Sequence, residues 1–128
     1  MDSCHCSLQE IPPPIAGSTA KAICPIEKIT KWAFVDPAKK RFFESNGYGI
    51  LDALEIQAEY ERQAAEKYAN GDYELGALNG FGQRITIIIE LPRRTENHTS
   101  PLRFETGWMV YPYGKIQNTT PATNLSLK

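Results

Sequence analysis

Apolar positions recur with a helical period of about 3.6 residues in the first half of this chain and alternate with a period of about 2 in the second. In PIEKITKWAFV, residues 25–35, Ile26, Ile29, Ala33 and Phe34 follow i, i+3, i+7, i+8, and Pro25 suits a first helical turn. Asp36-Pro37 then reads as an N-cap followed by proline at the first helical position. It opens a short helix from Pro37 to Ser45, which Asn46-Gly47 closes. Residues 50–69 give the strongest helical signal, being rich in Ala, Leu, Glu, Gln and Arg. Leu51, Leu54, Ala58, Ala65 and Tyr68 lie along one stripe, the expected buried face, with Ala64 at its edge. Glu55, Glu59, Arg62 and Glu66 lie away from it, on a solvated face.

ITIIIEL, Ile85 to Leu91, is a β-branched run of the kind found in strands buried on both sides or nearly so. Pro92 ends it, and RRTENHTSP is a polar loop. From Leu102 to Tyr111 the pattern alternates. Phe104, Thr106, Trp108 and Val110 share one face, while Glu105, Gly107, Met109 and Tyr111 share the other. Pro112-Tyr113-Gly114 makes a tight turn, and the chain returns as a strand from Lys115 to Thr119. A further short strand fits Tyr73–Leu78. The predicted fold is α+β: two or three N-terminal helices packed on one face of a three- or four-stranded antiparallel meander sheet. Residues 1–22, with three consecutive prolines, read as a tail or linker; residues 23–121 form the single domain, and 122–128 a second tail.

Composition narrows the classes. A chain of 128 residues that is 41% hydrophobic and 23% charged suits one soluble domain with its own core. The N-terminus has no apolar segment of the secretory kind, and no run approaches the ~20 apolar residues that span a bilayer. The expected compartment is the cytoplasm, the chain's own or one into which a larger system delivers it. Net charge is −1, with an acidic middle between mildly basic flanks, so no whole-protein field attracts nucleic acid. Cys4, His5 and Cys6 stand too close together for a zinc pair, and Cys24 and His98 are distant. The expectation is no metal and no cofactor. NHT, NTT and NLS at Asn97, Asn118 and Asn124 are formal sequons that carry little without an export signal.

No Walker-type glycine loop, GxSxG or HExxH occurs. The candidate site is therefore the hairpin TGWMVYPYGKIQNTTP, residues 106–121. Gly107 leaves a gap in a strand, Trp108 beside it offers a stacking ring, and Thr106, Tyr111, Thr119 and Thr120 supply hydroxyls. The competing reading places Trp108 in the core, with Gly107 making room for a helix. Metal-free RNA cleavage needs a base, an acid and cations to stabilise the phosphorane. Lys28, Lys31, Arg41 and Arg84 are the available cations; His98 titrates in the right range but sits in a polar loop.

The order of motifs resembles a family of uncharacterised bacterial domains found at the C-terminal ends of polymorphic toxins and in phage-associated proteins. The resemblance runs from ICPIEKITKWAFVDPAKKRFFESNGYG through FGQRITIIIEL to FETGWMVYPYGKIQNTTP, about residues 23–121. At fold level, helices followed by an antiparallel sheet are similar to the barnase–EndoU–colicin–RelE ribonucleases. Together these imply a toxin or effector module acting as a metal-independent RNase. Lys28, Lys31, Arg41, Thr106, Tyr111 and Thr119 would then be catalytic, and Arg84, Trp108 and Thr120 would bind RNA. The alternative is a non-enzymatic binding, immunity or phage-accessory domain with a cognate protein partner.

Overall fold

The computed structural model describes residues 21–78, 80, 82–94, 100–111 and 114–123. Strand β1 (Lys21–Ile23) leads into helix α1 (Lys28–Ala33). Helices α2 (Pro37–Ser45) and α3 (Ala53–Ala69) follow, with a 3-10 turn over Ile50–Asp52 before α3. The chain then runs through β2 (Glu74–Leu78), β3 (Gln83–Leu91), β4 (Leu102–Tyr111) and β5 (Lys115–Thr123). The five strands form one sheet in the order β1-β5-β4-β3-β2.

Strands β2 to β5 make the expected antiparallel meander, but the sheet as a whole is mixed. Lys21 to Ile23 pair in parallel with Lys115 to Gln117. So Lys21 and Ala22, read from sequence as tail, are a fifth strand; three residues are too few for a period to register. β5 likewise runs past Thr119 to Thr123.

Local signals explain the helices. Asp36 accepts a hydrogen bond from the Lys39 amide at 3.1 Å, and Pro37 follows it into α2. At the far end Gly47 takes φ +95°, where a side chain would be strained and would also meet Arg94. α1 is wound as a π-helix, with the Phe34 amide reaching back to Ile29. It buries Ile29 and Ala33, and Phe34 follows them into the core. Phe42, Phe43, Phe104 and Tyr60 interlock beneath these helices. Phe104 meets Phe42 and Phe43 edge-on, at 5.5 and 5.6 Å between centroids.

α3 buries a different face from the expected one. Ala53, Ile56, Tyr60, Gln63, Ala64 and Tyr68 point inward, whereas Leu51 is 97% exposed and Leu54 72%. The helix carries two apolar stripes, and the one holding Ile56 and Tyr60 lies on the sheet. Tyr60 settles the choice: its ring packs near Phe104 and its hydroxyl donates to the Pro121 carbonyl at 2.6 Å.

β3 is also one-sided rather than covered on both faces. Ile85, Ile87, Ile89 and Leu91 are buried, while Thr86 and Ile88 are half-buried and Glu90 is exposed. Among the described residues the helices pack on one face of the sheet only, so isoleucine content alone misreads the second.

Side chains of the helices close the parts of the sheet that lack a neighbouring strand. β2 pairs with β3 only as far as Thr86. Beyond it, the Gln63 amide takes both backbone groups of Glu90, donating to its carbonyl at 2.6 Å and accepting from its N–H at 2.9 Å. Lys67 donates to the Ile88 carbonyl at 2.5 Å. On the opposite edge β1 ends opposite Gln117, and Lys28 donates to the Thr119 carbonyl at 3.0 Å. Gln57 and Glu61 take the carbonyl and N–H of Cys24. Each of these replaces a ladder bond that would otherwise be missing in partly buried surroundings.

Candidate functional site

Strand parity divides the expected site. Successive side chains of β4 point to opposite faces of the sheet. Thr106 and Trp108 face the helices and are fully buried. Gly107 and Tyr111 face the other way and are half-buried. The Thr106 hydroxyl donates to the Ile87 carbonyl at 2.8 Å and accepts from the Trp108 indole N–H at 2.7 Å. Both groups are thereby satisfied inside the core, and neither wall of a cleft is formed by them.

The cations are dispersed as well. Lys31 and Arg41 are exposed and make no ion pair among the described residues. Lys28 holds the Thr119 carbonyl and lies 5.7 Å from the centre of the Trp32 ring. Arg84 reaches the Thr119 hydroxyl at 3.5 Å. Thr119 is thus the one candidate contacted by two of the four cations, through its backbone by one and its side chain by the other.

Its position comes from an irregularity in β5. Trp108 pairs with Asn118 and Gly107 with Thr120, leaving Thr119 as an extra residue between the two pairs. Arg84 sits on β3 and Thr119 on β5, with β4 between them. Gly107 clears that path. A Cβ there would lie 3.2 Å from the Thr120 hydroxyl and 3.3 Å from that of Thr119. The gap at Gly107 is therefore filled by two threonines, not left for a ligand or a helix. Beyond it, Lys115 lies 4.9 Å over the Tyr111 ring.

Asn118 is buried in the same irregularity, which removes its sequon from solvent. Its amide N–H groups donate to the carbonyls of Gly107 and Thr120, and its Oδ1 has no partner among the described residues. His98, Phe81 with its turn, the Cys4–His5–Cys6 triplet and the sequons at Asn97 and Asn124 lie outside the described residues. Among those described, no cluster of His, Cys, Asp and Glu could hold a metal, and no helix is long and apolar enough to cross a membrane.

Among the described residues, no shifted acid or base is brought toward neutral pH. Burial, with Glu61 nearby, pushes the Cys24 thiol up to about 12. Burial likewise raises Tyr48, Tyr68 and Tyr73, and raises the enclosed Tyr60 well above its ordinary value. Asp52 is lowered by the Gly49 amide and then by Arg94; Glu59 is lowered by hydrogen bonds from Arg62 and Gln63. Every one of these shifts moves a proton away from the range useful for general catalysis.

The outer side of α3 is the feature sequence reasoning misplaced. Leu51, Leu54 and Ala58 are exposed there, and Ala65 is half-buried. Two clefts of about 310 and 380 Å³ run along one flank of the helix and share Glu59, Leu91 and Pro92. Arg62 bridges Glu59 and Glu66 at 2.9 and 3.3 Å, and Arg94 bridges Asp52 and Glu55 at 3.0 and 2.6 Å. The presence of a second apolar stripe on a helix whose core stripe is already complete is the signal that reveals this surface. Compared with known proteins, the chain matches no family model, no curated protein and no solved structure.

Proposed function

We propose that this chain is a non-catalytic protein-binding domain, of the immunity or phage-accessory kind that its motif order suggests. One observation carries the reading: α3 and the 3-10 turn before it turn Leu54 and Leu51 outward, 72% and 97% exposed, beside an already complete core. Apolar side chains clustered on the outside of a folded domain lose solvent only when a partner arrives. The state of two of the expected site residues, catalytic Thr106 and RNA-binding Trp108, supports the same reading, since both are buried and hydrogen-bonded to each other.

A metal-independent ribonuclease is the second reading. It draws on the contact between Arg84 and the Thr119 hydroxyl on the open face of the sheet. Incubating the purified chain with tRNA and rRNA in EDTA, beside Arg84→Ala, separates the two. Intact RNA is expected throughout. Discrete cleavage by the natural chain that is lost in Arg84→Ala would overturn the binding reading and make the toxin or effector assignment the working one.

A further inference from the structure

The exposed stripe of α3 has a shape that says what covers it. On a helix of 3.6 residues per turn, Leu54, Ala58 and Ala65 fall within about 40° of one another, about 120–160° from the buried Tyr60. Leu51 in the preceding turn extends the stripe. Bulk is graded along it: two leucines at the N-terminal end, then alanines at 58, 65 and 69.

We propose that this stripe seats a second copy of the chain, with the two α3 helices packed antiparallel about a two-fold axis close to Ala58. The inference rests on the binding reading above and names its partner. Antiparallel packing sets the leucines of one copy against the alanines around residue 65 of the other, so large side chains meet small ones on both sides of the axis. Two small residues at the axis let the helix backbones approach closely.

Charge fits the same arrangement. With the axis between Ala58 and Glu59, residue i of one copy lies level with residue 117 − i of its partner, so 55 lies level with 62. Glu55 and Arg62 are both exposed and share one flank of the stripe. The two-fold therefore creates two reciprocal Glu–Arg contacts and puts no like charges level on that flank. Each group keeps capacity for this. Glu55 accepts from Arg94 through Oε2, leaving Oε1; Arg62 uses three of its five N–H groups on Glu59 and Glu66. One helix face is a small interface, so the dimer is expected to be weak and concentration-dependent.

Sedimentation velocity of the full chain from about 10 to about 500 µM tests this, over the range where a small interface associates. The expected result is a reversible shift from monomer to dimer. Leu54→Asp should stay monomeric throughout, with its helical circular dichroism unchanged. Ala58→Arg should do the same, and decides the matter if Leu54→Asp fails to fold. Glu55→Arg and Arg62→Glu should each weaken the dimer at least fivefold, and the double variant should regain it. A natural chain that is monomeric at every concentration overturns the proposal, as does a dimer indifferent to both Leu54→Asp and Ala58→Arg. Either result with intact RNA leaves the binding reading standing without this partner; RNA cleavage removes that reading itself.

Discussion

Thr106 is a buried hydroxyl whose hydrogen bonds are all made inside the fold. In the sequence it stands two residues from Trp108 and invites a catalytic role. In the fold it is the only described acceptor for the indole N–H and a donor to β3. Thr106→Val keeps the shape and removes the acceptor, leaving a buried N–H unpaired. The expected cost is about 1–3 kcal/mol in urea unfolding, with a shift in Trp fluorescence. Thr106→Ser keeps the oxygen and should lose about 1 kcal/mol or less, the value of one buried methyl. Cys24 gives a pH prediction. Its folded pKa is raised from 9.0 to about 12, so the folded state keeps the proton that the unfolded chain releases. Stability from this source is intact below pH 9 and is lost as pH rises from 9 toward 12. Urea midpoints measured from pH 8 to pH 11 should fall, and should fall less steeply in Cys24→Ala.

At the scale of elements, α3 is the organiser, and most of what it does could not be read from period alone. The sequence announces a helix at residues 50–69, and α3 occupies Ala53–Ala69 with a 3-10 turn over 50–52. It does not announce which of two apolar stripes turns inward, because Leu51 and Leu54 score higher than Ala53 and Ala64. The sheet decides, by offering the Tyr60 hydroxyl a carbonyl at Pro121 and Gln63 a vacant strand edge at Glu90. The same limit explains the split site. Alternation in β4 was legible, and it already separated Thr106 and Trp108 from Gly107 and Tyr111. What was not legible was the extra residue at Thr119, which depends on the register against β4. The fifth strand escaped for a related reason: it is three residues long and is defined by its partner. Two substitutions test the division of α3 into two faces. Leu51→Asp with Leu54→Asp should leave the thermal midpoint of dilute protein within about 2 °C, as exposed positions do. Tyr60→Phe should lower it by several degrees, because it orphans the Pro121 carbonyl at a cost of about 1–3 kcal/mol.

For the whole molecule, the edges of the sheet set where stability is high and where it is low. β3, β4 and β5 are paired on both sides or closed by side chains from the helices, and they carry most of the core. β2 differs. It is an edge strand, its five residues are all exposed, and it pairs with β3 through an irregular register between Leu75 and Leu78. Opening β2 exposes almost no further apolar surface, so it requires far less than global unfolding. Native-state hydrogen exchange should therefore find β2 amides opening at low free energy, and those of Ile87 and Ile89 only near the global value. Gln63→Ala sharpens the test. Its amide oxygen is the only partner of the Glu90 N–H among the described residues, so that single amide should exchange at least tenfold faster than in the natural chain. Exchange in β2 should not change, because the Gln63 side chain acts on β3 beyond the last β2 pair. Uniform acceleration across the sheet would instead mean that the helix and all five strands open as one unit, and that closing the β3 edge contributes to global rather than local stability.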